Sequence, residues 1–190
     1  MKFNSVRGAA LLSFLFASIT GLSQSGHPIA RFTATTVNTS SPGDAVRIDV
    51  LRWTTDAERE PLLTTLETKG DSALPALLQK APTIGYIWTT ESAGYPLRYA
   101  YRVAMPDGGE RIILAIDRQL GSYDPQRWKL SGAATRTDYP FTVVELRFSK
   151  AGLGDGKASL NSKIAADTSA RTIALENYAA APVLLQGVKK

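Results

Sequence analysis

Few residues in this chain can carry chemistry, and their types exclude most mechanisms. The 190 residues include one His, His27, and no Cys. Without Cys there is no thiol nucleophile, disulfide, iron–sulfur cluster or thiolate-bound zinc. One His excludes a multi-histidine metal site and leaves a single imidazole base, placed near the N-terminus, where an exposed tail residue is expected. No Gly-x-Ser-x-Gly elbow occurs, and no Ser or Thr stands three residues before a Lys, so the usual activated-serine arrangements are missing. Gly152-Leu153-Gly154-Asp155-Gly156-Lys157 has the glycines and lysine of a phosphate loop. It has Ala151 where the first glycine belongs and no hydroxyl after Lys157, so a glycine-rich turn is the expected reading. Asn38-Thr39-Ser40 matches an N-glycosylation triplet, which matters only in a glycosylating host.

Carboxylates and aromatic rings remain. Asp49, Glu145 and Glu176 fall on extended segments, and two carboxylates about 5 to 9 Å apart can hydrolyse a glycosidic bond. The simpler expectation is that each is the solvent-side residue of its strand; Arg147, two positions from Glu145, fits an ion-paired face. The aromatic set is denser. Tyr86, Trp88, Tyr95, Tyr99 and Tyr101 lie within 16 residues. Tyr86 and Trp88 share one face of their segment, and Tyr99 and Tyr101 share one face of theirs. If those faces converge, Tyr86, Trp88, Tyr99 and Tyr101 line a site where rings stack on a small ligand (a sugar or a lipid) or on a protein partner. The alternative is an aromatic core with hydroxyls at its rim. No catalytic residue, metal ligand or cofactor is indicated.

The elements that must position these residues read as short strands with one helical interruption. Segments 30–37, 45–53, 83–90, 97–105, 110–118, 141–148, 157–165, 171–178 and 183–188 are rich in β-branched and aromatic residues and separated by turn clusters such as Asn38 to Asp44. Val46, Ile48 and Val50 alternate with Arg47 and Asp49, the period of a half-buried strand. Thr55 and Glu58 have the spacing of a capping box, and Leu62, Leu63 and Leu66 form a helical stripe. Pro61 lies past the first turn, so the helix either kinks there or begins nearer Glu60. A second short helix covers 72–81. The expected class is mainly β (α+β): an antiparallel sandwich or partly closed barrel of about nine strands, with a two-helix insert at about 55–81 that covers part of the β body.

The hairpin joining 97–105 to 110–118 admits two registers. The Pro106-Asp107-Gly108 turn favours pairing Met105 with Gly109, which sets Val103 against Arg111. Pairing Met105 with Glu110 instead sets Val103 against Ile112, Tyr101 against Leu114 and Tyr99 against Ile116, with Arg98 meeting Asp117. The second assembles one apolar and one polar face, and burial of a whole face makes it the expected register.

The N-terminal stretch has the three parts of a secretory signal: Lys2 and Arg7, a charge-free apolar run from Gly8 to Leu22, then Gly21, Ser23 and Ser25. The run is about 15 residues, short of the roughly 20 that span a bilayer. Residues 1–25 are thus expected to be a cleaved signal peptide and 26–190 one β-rich domain, secreted or periplasmic, with no membrane span after cleavage. Cleavage removes two basic residues and no acid, lowering the net charge from +5 to +3. With basic residues scattered among acids, nucleic acid is not an expected partner. The segments Val46 to Arg59, Ala81-Pro82-Thr83-Ile84-Gly85-Tyr86-Ile87-Trp88-Thr89 and Ala174-Leu175-Glu176-Asn177-Tyr178 resemble small secreted bacterial proteins without an assigned function. That resemblance implies export from a bacterial cell and supplies no activity. The function expected is an exported binding or structural module with an aromatic-lined face, or alternatively a carboxylate-dependent extracellular hydrolase.

Overall fold

The computed structural model describes residues 27–89, 93–123, 128, 140–159, 163–179 and 183–190; the expected signal peptide lies outside them. Among these residues ten strands form: β1 (Ala30–Thr36), β2 (Ala45–Val50), β3 (Gly85–Thr89), β4 (Tyr95–Ala104), β5 (Glu110–Ile116), β6 (Thr142–Phe148), β7 (Gly154–Ala158), β8 (Ile164–Asp167), β9 (Thr172–Leu175) and β10 (Val183–Lys189). Eight of them close a barrel in the order β1-β10-β7-β6-β5-β4-β3-β2, every neighbour antiparallel, and β8–β9 is a separate hairpin. The mainly β class thus holds, as a fully closed barrel. Closure pairs every edge that an open sandwich would leave exposed.

The lumen is a packed core. Phe32 and Phe148 meet with ring centroids 5.6 Å apart, although β1 and β6 are not neighbours. Ile48, Ile87, Tyr95, Leu97, Ile112, Leu114, Leu146 and Leu185 fill the rest. An eight-stranded barrel has an interior that side chains can just fill. The internal void beside Trp128, Leu120 and Leu184 is about 10 Å³, no more than one water's worth.

α1 (Asp56–Lys69) and α2 (Leu74–Lys80), joined by a 3-10 turn at Asp71–Ala73, leave after β2 and return before β3. The capping box forms: Thr55 Oγ1 accepts the Glu58 N–H, and Glu58 Oε2 accepts the Thr55 N–H. The helix therefore starts at Asp56 and carries Pro61 in its interior. Leu62, Leu63, Leu66, Leu74 and Leu78 pack on the outside of the barrel against Tyr99, Ile113, Ala115 and Val143, and Ile164, Ile173 and Leu175 of the β8–β9 hairpin complete this second core.

That outer core overturns the register expected for the β4–β5 hairpin. Val103 stands opposite Arg111, Tyr101 opposite Ile113 and Tyr99 opposite Ala115. The Met105 N–H bonds the Gly109 carbonyl at 2.9 Å, and Gly108 takes a φ of +82°, which glycine tolerates at no steric cost. The register that segregates faces fails because β5 is buried on both sides: Ile112, Leu114 and Ile116 point into the lumen, Ile113 and Ala115 into the outer core. With no polar face to discriminate, turn chemistry decides. One extra residue in β4, between Leu97 and Tyr99, then restores inward packing of Leu97 opposite Ile116. Arg98 still reaches Asp117, at 2.9 Å.

Two further boundaries differ. The strand expected over 157–165 is two elements: β7 belongs to the barrel, and β8 begins only at Ile164. Gly154 and Gly156, expected in a turn, lie inside β7. A Cβ on Gly156 would stand 2.7 Å from Leu146 Cδ2 and 3.0 Å from Leu185 Cβ, so the small residue is what lets three strands approach. The turn lies earlier, where the Ser149 N–H bonds the Leu153 carbonyl, and this hairpin explains the glycine-rich stretch without a phosphate. Gly156→Ala is expected to cost about 2 kcal/mol by overpacking, a fall of roughly 4 to 8 °C in the thermal midpoint. Circular dichroism melting of the variant beside the parent protein measures it.

Candidate functional site

The helices and the β8–β9 hairpin cover the outer wall over β4 to β6, and among the described residues no element covers the outer wall of β1 to β3. Alternation puts Phe32, Ala34, Val46, Ile48 and Ile87 inside, and register then lines up the outward residues across three strands. Arg31 lies opposite Asp49, and Asp49 opposite Tyr86. Thr33 lies opposite Arg47, and Arg47 opposite Trp88. The two rows make a plane of two rings, two guanidinium groups and one carboxylate.

Its parts are fixed to one another. Arg31 grips Asp49 with two bonds, Nε to Oδ1 at 2.7 Å and Nη2 to Oδ2 at 3.0 Å, and Arg47 Nε stands 3.7 Å from Asp49 Oδ2. The Arg47 guanidinium lies over Trp88, 4.3 Å from the ring centroid. The Tyr86 and Trp88 rings are 5.3 Å apart and tilted by 33°. Tyr86 is 36% exposed and Trp88 half-buried. Beside them a groove of about 410 Å³ runs along Thr33, Ala45, Arg47, Trp88 and Thr89. Exposed aromatic rings beside outward-pointing hydrogen-bond donors suit a ligand with a flat apolar face and polar edges.

Tyr99 and Tyr101 are elsewhere. Both sit on the outer wall beyond the start of β3, under the covering elements, with their rings 6.4 Å apart. Tyr99 is wholly buried and its hydroxyl shares a 2.6 Å hydrogen bond with Thr172 Oγ1; burial pushes its pKa up to about 12. Tyr101 lies beneath the Arg59 guanidinium, 4.1 Å from its centroid. Arg59 is itself buried, paired with Asp56, and its Nε and Nη1 have no hydrogen-bond partner, so the ring face is its remaining support. The four aromatic residues thus form two pairs, one exposed and one in the outer core. Tyr95 packs into the lumen, its hydroxyl accepting from the Gly121 and Tyr123 N–H groups.

The three carboxylates also separate. Asp49 belongs to the bare wall. Glu145 is fully buried beneath the β8–β9 hairpin, where it accepts from Arg147 Nε at 2.9 Å and from the Leu175 N–H at 3.3 Å, with Arg111 Nη1 at 3.8 Å. Glu176 falls in the turn after β9 and is exposed. His27 is exposed, and among the described residues no three His, Asp or Glu side chains are grouped to hold a metal.

Sequence reasoning misses the network around Glu145. Arg111 also holds Asp167 at 2.5 Å, Tyr178 donates to Asp155 at 2.6 Å, and the Arg147 guanidinium lies 3.7 Å from the Tyr178 ring centroid. These residues tie the β8–β9 hairpin and the turn after it to β5, β6 and β7. The available signal is Arg111 and Glu145 set among apolar residues on strands whose other outward neighbours are Ile113 and Val143. Burial and hydrogen bonding to Asp155 raise the Tyr178 phenol above its usual range. A groove of about 540 Å³ lies at the mouth of this network, between Met105, Pro106, Arg111, Arg147, Asp167 and Ser169, and its charges neutralise one another.

No family model, no curated protein and no solved structure matches this chain.

For Asp167, burial raises the carboxyl pKa, but the Ala170 N–H, the Ser169 hydroxyl and Arg111 outweigh it and hold the group at about 2. A carboxylate held below its unfolded value near 3.9 adds stability above that value, lost as pH falls through 2. The expected loss between pH 5 and pH 2 is about 1 to 2 kcal/mol. Urea unfolding of the parent and Asp167→Asn across that range checks it: the parent's advantage over the variant should shrink as the solution becomes acid.

Proposed function

We propose that this chain is an exported binding module whose working surface is the bare wall carrying Tyr86 and Trp88, and that its ligand is a carbohydrate. The observation that carries the reading is the row Thr33–Arg47–Trp88 lying beside the row Arg31–Asp49–Tyr86 on a stretch of barrel wall that the insert and the hairpin leave uncovered. A pyranose presents axial C–H groups that pack on an indole face and equatorial hydroxyls that reach neighbouring donors. Arg31 and Arg47 have half-exposed side chains to offer those hydrogen bonds, and Asp49 holds Arg31 in place. Anchoring the arginines beforehand lowers the ordering cost of binding.

The described side chains of the lumen are closely packed, with a void of about 10 Å³ beside Trp128, and this supports a surface site over an internal one. The dispersal of Asp49, Glu145 and Glu176 supports binding over hydrolysis, since Asp49 and Glu145 are engaged with arginines rather than facing each other across a cleft. Export rests on the basic start, the apolar run 8–22 and the small residues after it, together with the resemblance to secreted bacterial proteins. Among the described residues no helix is long and apolar enough to cross a membrane.

The test is titration of the purified protein with neutral gluco-, xylo- and chito-oligosaccharides, followed by tryptophan fluorescence and calorimetry. One series is expected to bind saturably, and Trp88→Ala is expected to weaken it at least tenfold while shifting the thermal midpoint little. Tyr99→Ala is expected to do the reverse, lowering stability by about 3 kcal/mol and leaving affinity unchanged, because Tyr99 is core. Absence of saturable binding by all three series, or affinity that survives loss of Trp88, would overturn the reading.

A further inference from the structure

The seam between the helical insert and the barrel contains a pocket of about 180 Å³, separate from the Trp88 face. Its walls are apolar: Pro61 and Leu62 from α1, Leu77 from α2, and Pro82 and Ile84 from the segment returning to β3. Three charged residues also line it, and two are already satisfied. Glu58 takes both arms of Arg52, at 2.7 and 2.8 Å, and also the Thr55 N–H; these contacts, the Arg52 bonds first, draw its pKa down to about 2. Arg98 donates to Asp117 at 2.9 Å, to Thr83 Oγ1 at 2.8 Å and to the Ala81 carbonyl at 3.0 Å. Lys80 has no ion-pair or hydrogen-bond partner among the described residues.

The pocket therefore offers one uncompensated ammonium beside an aliphatic slot. Pro61 adds a second observation. A proline inside a helix breaks the local rule, since it removes a backbone bond and crowds the preceding turn, yet α1 tolerates it and turns it to the pocket wall. Departures from local preference concentrate where function demands them. We propose that this pocket binds a medium-chain aliphatic carboxylate, with its tail between Pro61, Leu62, Leu77 and Ile84 and its carboxylate on Lys80 Nζ. A pocket of about 180 Å³ has room for more than one or two methylene groups, so the tail is an alkyl chain and not a methyl. A bare anion such as phosphate would leave the apolar walls unused, and a neutral alkyl chain would gain nothing from Lys80. The inference does not depend on the carbohydrate reading, because the two surfaces share no residue.

Sodium octanoate titrated into the full-length protein tests it, with 1-octanol and sodium acetate as comparisons, read by calorimetry and by methyl-resolved NMR. Octanoate is expected to bind at one saturable site with cross-peaks to the Leu62, Leu77 and Ile84 methyl groups, and acetate is expected not to bind. Lys80→Ala, an exposed helical position, is expected to weaken octanoate roughly threefold to tenfold and leave octanol unchanged. Failure of octanoate to saturate, cross-peaks confined to other methyl groups, or octanoate affinity unaltered by Lys80→Ala would each overturn the proposal. The cross-peaks are measured on the parent protein, so the location stands or falls without any variant.

Discussion

Closing eight strands into a barrel fixes how much room the interior has, and the rest of this molecule follows from that limit. Phe32 and Phe148 touch across the lumen, Ile48, Ile87, Ile112 and Leu146 pack into it, and the void beside Trp128 among the described residues is about 10 Å³. The inside is then full, but the chain has more apolar side chains to bury. Tyr99, Ile113, Ala115, Phe141 and Val143 point the other way and would be exposed on a bare barrel. At about 25 cal/mol per Å² of apolar surface, an uncovered wall of that kind would cost several kcal/mol and invite aggregation. The helical insert and the β8–β9 hairpin are the cover. Each also needs the wall: a lone two-stranded hairpin is marginal in water, and α2 is only seven residues long.

Covering a barrel wall brings polar groups with it, and Glu145 shows how they are accommodated. A carboxylate with no solvent contact is costly unless paired and hydrogen-bonded. Glu145 has Arg147, the Leu175 N–H and nearby Arg111, which in turn holds Asp167. Every link runs from the barrel to the hairpin or along the wall beneath it, so the network fixes where the hairpin docks. Leucine-on-leucine contacts between the insert and the wall tolerate sliding; a buried carboxylate that must reach one particular backbone N–H does not. Removing a single partner from such a cluster costs more than the cluster gains over an apolar replacement, which makes it a device of position more than of net stability.

The same division between lumen and outer wall explains what is legible in the sequence. Features set by neighbours in sequence can be read directly: the Thr55–Glu58 capping box, the alternation of Val46, Ile48 and Val50 with Arg47 and Asp49, and the Pro106–Gly108 turn all take the form their local chemistry dictates. The β class follows from these. What cannot be read has its cause far away in the chain. The β4–β5 register comes out wrong when one face is assumed to meet water, and the run Ile112 to Ile116 is apolar throughout because residues 56–80 and 164–175 cover its second face. A continuous apolar run is the available sign of a strand buried on both sides. Gly154 and Gly156 look like a turn because the need for a small residue comes from Leu146 and Leu185 on neighbouring strands. Tyr99 and Tyr101 resemble Tyr86 and Trp88 in type and spacing, and only the position of the insert separates a core pair from a surface pair.

Where the cover stops therefore decides which outward side chains of the barrel wall stay exposed. On β1 to β3 the described outward residues are mostly charged or amphipathic, and Tyr86 and Trp88 are the large rings among them. Had burial been their purpose, the insert would have served it, since it already lies against β4, the neighbour of β3. Instead both rings sit outside the covered zone, with the Arg47 guanidinium over Trp88 and Asp49, paired with Arg31, opposite Tyr86 in register. Arginines whose positions are set in advance and rings with few rotatable bonds make a surface whose side chains have little freedom left to lose on contact. The pocket at the seam arises from the opposite circumstance: two layers that meet imperfectly leave an apolar gap, and Lys80 at its edge gives that gap a sign. The filled lumen and the border of the cover thus leave two distinct features on the described exterior: a polar aromatic plane on β1 to β3 and an apolar slot edged by Lys80 at the seam.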